Sequence, residues 1–493
     1  MGGVGRVGGT KGVVILATLV VIAVLTTALA GARDPSASAA RTGSEALGRP
    51  NVVLILTDDM RADELRYLPK TRRLLVDQGV RFTNALSPHP MCCPARAELV
   101  TGQYGQNNGV RHNTGRWGGA KRLRNIDDNV GRWLQVAGYR TSYHGKFLNG
   151  YERLRPRRKP AGWNIWDTQL GGIYSYSWAR FFNRDQVRHE YPTLTMTKRT
   201  NAALDRFADT RAPFFTVVNH VAPHVTLSRP WRPRWQAKYD DAYRRVRPPS
   251  FRSPSFNEQR IGDLPRGLRG PKVDPTRVRN LFRARVRSLR SVDDAVAATV
   301  RRLQRLGELD NTYVIFTSDN GYALGEHRLS SKNYLFDEIL EVPMVIRGPG
   351  FAPGTVDRTP VTLVDLIATF VDWAGATPGH PLDGTSIERL RDDGRRLARD
   401  TILIQTGDQI ADSTPGWDYR GVTTPRYLFG YRAGKTGTGI LFDRERDPHA
   451  LRNRFWDRDY RAIRRELTAR TRILSRCAGA RCNRVSGPLP PPR

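Results

Sequence analysis

Apolar residues fall along this chain in two rhythms. Unbroken runs over 51–56, 213–219, 312–316 and 342–347 have the length of strands buried on both faces, the pattern of a sheet covered by helices. Elsewhere Val286, Leu289, Val292, Val296, Val300 and Leu303 recur at steps of three and four and stop before Gly307, which predicts an amphipathic helix with a glycine just past its end. Helices are also predicted over 62–78, 129–138 and 361–374, and a strand over 139–143 that leads into His144-Gly145-Lys146. Strands alternating with helices give an α/β fold, a large mixed sheet sandwiched by helices. After residue 376 the texture changes to a hairpin over 426–432 and 439–443 and a helix over 460–474, which predicts a smaller C-terminal α+β domain with an antiparallel sheet. Residues 227–280, dense in Pro, Arg and Ser, predict a long surface excursion, and the Pro-rich end from residue 484 a disordered tail.

Two of the apolar runs end in acids. The first stops at Thr57-Asp58-Asp59 and the third at Ser318-Asp319-Asn320-Gly321. The carboxyl ends of buried strands are where open α/β sheets place ligands, and paired buried acids call for a compensating charge such as a divalent cation. The plainer readings are a helix N-cap at Asp59 and an Asn-Gly turn at Asn320.

The formal charge is +33, from 80 Lys and Arg against 47 Asp and Glu. The basic residues are spread along the chain, and neither paired zinc ligands nor an aromatic RNA-binding segment is visible, so no nucleic-acid partner is expected. Residues 1–11 carry Arg6 and Lys11 without an acid, 12–30 are apolar or small, and Ala28-Leu29-Ala30 closes the run. This is the pattern of an export signal, or of an uncleaved anchor long enough to span a bilayer. A linker follows over 31–49. An oxidising destination suits a small disulfide loop between Cys477 and Cys482, which leaves Cys92 and Cys93 as adjacent thiols, too close for an unstrained bridge.

Those two thiols open the stretch Cys92-Cys93-Pro94-Ala95-Arg96, followed by Thr101-Gly102. The pattern C-x-P-x-R-x4-T-G resembles the signature of the sulfatase family. Proline here favours an extended or turn conformation before it, and Arg96 returns one helical turn after Cys92. Gly145-Lys146-Phe147-Leu148-Asn149, Ala222-Pro223-His224, Asp319-Asn320-Gly321 and Lys332 follow in the family's order, and the glucosamine-6-sulfatase-like branch is the nearest match.

The resemblance implies a sulfuric ester hydrolase with a catalytic domain over 50–375, a smaller domain over 376–476 and a tail over 477–493. A dedicated generating enzyme would oxidise Cys92 to formylglycine before folding, and the aldehyde hydrate would attack sulfur. Asp58, Asp59, Asp319, Asn320 and residue 92 would bind Ca2+. Arg96, Lys146 and Lys332 would hold the anionic oxygens, and His224 would bind sulfate or protonate the leaving alcohol. The substrate would be a sulfated small molecule or glycan outside the cytoplasm. Four positions depart from the family pattern: Ala95 replaces serine, Ala323 a histidine of some relatives, Lys332 follows a variable loop, and Leu148 stands where many members have a histidine. If that histidine is the base that regenerates the aldehyde, another residue, His112 or His144 by proximity in sequence, must replace it, or regeneration is slow. Two other readings fit the same residues: a phosphomonoester or phosphonate monoester hydrolase, and a silent basic protein that binds sulfated glycans.

Overall fold

The computed structural model describes residues 2, 48–183, 186–392, 399–409 and 414–492. Leu47–Arg493 forms one compact unit. The predicted signal or anchor and most of the linker lie outside the described residues. Among the described residues, no helix is long and apolar enough to cross a membrane.

The apolar runs become the middle of a ten-stranded mixed sheet. In chain order its strands are β1 (Asn51–Thr57), β2 (Val80–Phe82), β3 (Arg140–Gly145), β4 (Ile165–Gly171), β5 (Trp178–Phe181), β6 (Gln186–Arg188), β7 (Phe214–Asn219), β8 (Thr312–Ser318), β9 (Met344–Arg347) and β10 (Thr355–Asp357). Across the sheet they stand as β10-β2-β9-β8-β1-β7-β3-β4-β5-β6. The five central strands β8, β1, β7, β3 and β4 are parallel. Their register aligns Leu56 with Thr317 on one side and Asn219 on the other, and Asn219 with Gly145. Four carboxyl ends therefore finish at one level.

Helices cover both faces because β1 is apolar at every position from Val52 to Leu56. Val52, Leu54 and Leu56 pack on one side with residues of α1 (Cys92–Thr101), α2 (Val130–Val136) and α5 (Leu363–Ala374); Val53 and Ile55 pack on the other with α3 (Pro192–Ala208) and α4 (Pro275–Arg305). Each such side chain, at most 2% exposed, contributes about 1.5–3 kcal/mol by leaving water. The smaller sheet, β11 (Ile402–Gly407), β12 (Trp417–Thr423), β13 (Tyr427–Arg432) and β14 (Lys435–Asp443), is antiparallel, with the predicted hairpin as its last two strands. It docks through Ile402, Ile404, Leu428 and Phe442 onto Leu86, Leu335, Ile339 and Leu340. The last helix, α6 (Arg461–Leu474), precedes the Cys477–Cys482 disulfide.

Three local expectations are corrected. The helix predicted over 62–78 is a 3-10 turn at Ala62–Tyr67, a single turn at Pro69–Thr71 and wider π turns at Arg72–Val76. Pro69 cannot donate within a continuous helix and starts a new one instead. Cys93, expected to be extended ahead of Pro94, is helical: Pro94 lies in the first turn of α1, where its missing N–H would have had no partner anyway. The chain end is held rather than loose, since Ser486 and Gly487 donate to the Asp400 carboxylate and Arg470 donates to Gly487 O.

Candidate active site

The shared level of the central strands brings the polar residues that follow them together. Asp58 and Asp59 leave β1, Asp319 and Asn320 leave β8, and Lys146 follows β3. Asp59 is not a helix cap: it takes a left-handed conformation (φ 71°), and the next turn starts at Arg61, whose backbone N–H donates to the Glu64 carboxylate at 3.1 Å. A non-glycine residue in that region stores about 1–3 kcal/mol of strain, here at the point where two carboxylates turn into one space. Gly145 is required for a different reason. A Cβ there would lie 2.1 Å from Asn219 O, so only glycine lets β3 pass β7 and deliver Lys146.

Cys92 is the first residue of α1, and all ten residues of that helix are buried, which is why no amphipathic rhythm announced it. The Cys92 thiol lies 3.2 Å from Asp58 Oδ1 and 3.8 Å from Asp59 Oδ1, and Lys332 Nζ donates to its sulfur at 2.7 Å. Lys332 also donates to Asp59 Oδ1, and Lys146 to Asp58 Oδ2 at 2.6 Å. Arg96, one turn along α1, donates to Asp319 Oδ2 at 2.9 Å and, through Nη1, to Lys146 O and Asn219 Oδ1 at 3.0 Å each. Asp319 Oδ1 accepts from Asp59 N at 3.0 Å, and Asn320 Nδ2 donates to Asp59 Oδ1 at 2.9 Å. His224 Nε2 lies 3.6 Å from Asp59 Oδ2, while the Nδ1 side bonds Val225 O at 2.6 Å. All nine residues singled out from the sequence, Asp58, Asp59, Cys92, Arg96, Lys146, His224, Asp319, Asn320 and Lys332, thus share one buried network.

Its electrostatics follow from that pairing. Burial favours the neutral form of Asp58, but Lys146, then His224, Arg96 and Lys332, reverse this and hold it well below the usual carboxylate range. Asp319 goes the other way, to about 6, through burial and the nearby Asp58 charge, which Arg96 and Lys146 only partly offset. Burial, with Asp58 adding to it, pushes the Cys92 thiol far up, so the thiolate is suppressed. Burial lowers His224 to about 4 against the pull of Asp59 and Asp58.

The donor set suits a hard cation. Asp58, Asp59, Cys92 and His224 bring ligand atoms within 4.8 Å of one another. Asn320 Oδ1 is buried without a hydrogen-bond partner, as is Arg96 Nη2. Three carboxylates and an amide oxygen match the oxygen-rich coordination of calcium better than a zinc site.

Four contributors were not foreseen. Asn219, at the end of β7, anchors Arg96. Asn113 accepts from Cys93 N at 2.7 Å and so satisfies the first turn of α1. Tyr174 stacks on His224 with centroids 4.2 Å apart. Arg285, fully buried, donates to Glu64 at 2.6 and 2.7 Å and to Asp59 O at 2.5 Å, fixing the Asp59 turn. An arginine on the apolar face of α4, beside Phe282, Val286 and Leu289, was the signal available for it.

Leu148 is absent from the network. Its side chain packs in the core with Phe147 and Tyr151, 3% exposed. His144 bonds Asp167 at 3.1 Å. His112 lines the cavity of about 400 Å3 into which Lys332 opens, with Asn333, Tyr334, Gly407, Asp408, Gln409 and Asp418.

A buried cysteine at a helix start, strand-end carboxylates and three cations thus meet at the carboxyl end of a parallel-centred sheet, in a group that could hold a metal ion. The comparison with known families narrows this. The sulfatase family model matches residues 50–376, and the model for the C-terminal region of N-sulphoglucosamine sulphohydrolase matches 325–476. The chain belongs to the sulfatase family, and its named sulfatase relatives support a sulfuric ester hydrolase. It is 32% identical to human N-acetylglucosamine-6-sulfatase over 391 residues, 74% of this chain and 69% of that protein. It is 33% identical to the extracellular sulfatase SULF-1 homolog of Drosophila melanogaster, over 74% of this chain, but spans only 34% of that protein. Two solved structures share the fold. One, a complex with D-glucosamine-2-N,6-O-disulfate, has a TM-score of 0.70 at 20% identity, covering 86% of this chain and 97% of that one. The other, a phosphonate monoester hydrolase from Silicibacter pomeroyi, has 0.66 at 21% identity, covering 87% and 95%.

Proposed function

We propose that the protein hydrolyses sulfate monoesters on a carbohydrate, using a formylglycine hydrate formed from Cys92 at a calcium site. The observation that carries this reading is the position of Cys92: first in a buried helix, touching Asp58, Asp59 and Lys332, with Arg96 one turn behind. The aldehyde hydrate would supply an oxygen nucleophile where the thiol itself is a poor one. Cys92 is fully buried, so its oxidation by a generating enzyme belongs before folding.

Asp58, Asp59, Asp319 and Asn320 would hold calcium together with residue 92, and the cation supplies Lewis-acid polarisation of sulfate oxygens when bound. The remaining work belongs to the chain. Lys332 reaches the nucleophile and Asp59, Lys146 reaches Asp58, and both would hold the anionic oxygens as charge moves onto them. Arg96 fixes Asp319 and, one turn after residue 92, would hold the nucleophile's oxygen. His224, with its Nδ1 proton committed to Val225 O, presents a bare Nε2 and serves as a proton acceptor near neutral pH. The names of the human and Drosophila relatives support a sulfated glycan as substrate and an exported location.

The test is peptide mass analysis of residues 81–111 with an assay on matched aryl sulfate and aryl phosphate. An aldehyde at 92, retained Cys93 and faster sulfate turnover are expected. Faster phosphate turnover would favour the phosphonate hydrolase reading, and an aldehyde with no turnover the silent binder.

A further inference from the structure

Beside the cavity into which Lys332 opens, arginines and tryptophans alternate. Arg111 lies between two indoles, 4.8 Å from the Trp117 ring and 4.9 Å from Trp417. Arg122 and Arg116 cover the outer side of Trp117 at 5.1 and 5.6 Å, and Arg420 lies against Trp417 at 4.4 Å. The stack adjoins the mouth directly. His112 and Asp418, the chain neighbours of Arg111 and Trp417, line the cavity, as does Gly407, whose Cβ would meet Arg111 O at 1.6 Å.

Apart from Arg116, these charges lack the compensation found elsewhere among the described residues. Arg111, Arg122, Arg124, Arg420 and Arg476 form no ion pair with a carboxylate among the described residues; their hydrogen bonds go to uncharged acceptors such as Pro415 O, Gln106 O, Gln405 Oε1 and Ser475 O. They also press on one another. Burial first, then Arg124 and Arg122, lowers Arg111, and burial with Arg111 and Arg476 brings Arg420 to about 10 against the pull of Tyr431. Holding like charges together costs folding free energy that an anion would return, and guanidinium groups already fixed against indoles lose little entropy on binding one.

We propose that this stack is a binding platform for a sulfated glycan chain that continues beyond the sugar bearing the reacting sulfate, so that the protein prefers polymeric over monosaccharide substrates. The inference rests on the sulfatase reading. Continuity with the mouth and the sign of the charge argue for the glycan, since the stack borders the cavity into which Lys332 opens.

The test uses the full chain carrying Cys92→Ala, which binds without turnover, and a fluorescent heparin octasaccharide at low salt. Arg111→Gln with Arg122→Gln is expected to weaken binding about tenfold or more, with the loss shrinking as salt screens both proteins. Arg111 also donates to Pro415 O. The more solvent-facing pair Arg122→Gln and Arg124→Gln therefore keeps the test standing if the first variant does not fold. Arg72→Gln with Arg73→Gln removes the same charge from residues outside the stack and is expected to change binding less than twofold. Equal weakening by both sets, or none by the rim set, overturns the proposal, as does tighter binding of a single-stranded oligonucleotide of equal charge. Aryl sulfate turnover by aldehyde-bearing protein tests the hydrolase reading separately, so either can fail alone.

Discussion

The buried network under Cys92 and the arginine stack at its rim are both rich in charge, and they treat it oppositely. In the network Asp58, Asp59 and Asp319 meet Lys146, Lys332 and Arg96, and most polar atoms have partners. At the rim the cations face one another. Taking a charge out of water is affordable only against a counter-charge with good geometry, so the interior comes prepaired and holds its groups in fixed places. Cations nearer solvent carry less of that requirement, and those without a carboxylate partner among the described residues, Arg111, Arg122 and Arg124, are free to take one from outside. On the proposed reading, depth separates cations paired in advance around the reacting group from rim cations left for the rest of the ligand.

The largest expected effect breaks the comparison at its centre. Cys92→Ala should lower turnover of an aryl sulfate by at least about 10⁴-fold with an unchanged circular dichroism spectrum, because the nucleophile goes and the ion pairs around it remain. Cys93→Ala should leave most activity. Comparable losses in both variants would show that residue 92 has no special place.

Next come the carboxylates. Asp319→Ala leaves Arg96 buried without its closest anion, and Asp58→Ala does the same to Lys146, each costing about 3–5 kcal/mol. Both should lower the melting temperature and abolish calcium binding by titration calorimetry. Asn320→Ala removes no charge and should weaken calcium binding without abolishing it. Full calcium binding by the two aspartate variants would mean the metal sits elsewhere.

A third variant acts one step removed from the site. Arg285→Met keeps the volume of α4 but strands the Glu64 carboxylate and frees Asp59 O. It should lower the melting temperature as much as the aspartate variants do, yet retain measurable turnover. A loss of activity without a loss of stability would place Arg285 in the chemistry itself.

The sheet's centre and Asp58, Asp59, Lys146, His224, Asp319 and Asn320 were legible by position because they obey one rule: an apolar run long enough for a strand, followed by a group that would not otherwise be buried. Cys92, Arg96 and Lys332 came from the family resemblance alone. What was not legible lay where that rule gives no signal. The helix α1 is buried on all sides and has no polar face to set a period. Asn113 and Tyr174 come from loops whose approach depends on tertiary packing alone. The run over 62–78 had helical spacing, but Pro69 removed a donor that spacing does not count. The position of Leu148 could be read, but not its direction: the chain after β3 turns Lys146 into the site and Leu148 into the core.

That direction decides the smallest effect. With Leu148 packed against Phe147 and Tyr151, Leu148→His would bury an imidazole among apolar residues and should destabilise the protein without raising its steady rate. The base must be sought among histidines that present a lone pair. His112 Nδ1 accepts from Thr114 N at 3.3 Å, so in its neutral form the proton lies on Nε2 and the ring donates toward the cavity. His224 has the opposite tautomer, its Nδ1 proton on Val225 O and a bare Nε2 facing Asp59. If His224 takes the proton that lets sulfate leave and the aldehyde return, His224→Ala should release one phenol per site at close to the normal rate. The steady phase should then be about 10²-fold slower, while His112→Gln runs linearly from the start. A burst in the His112 variant and none in the His224 variant would exchange the two roles.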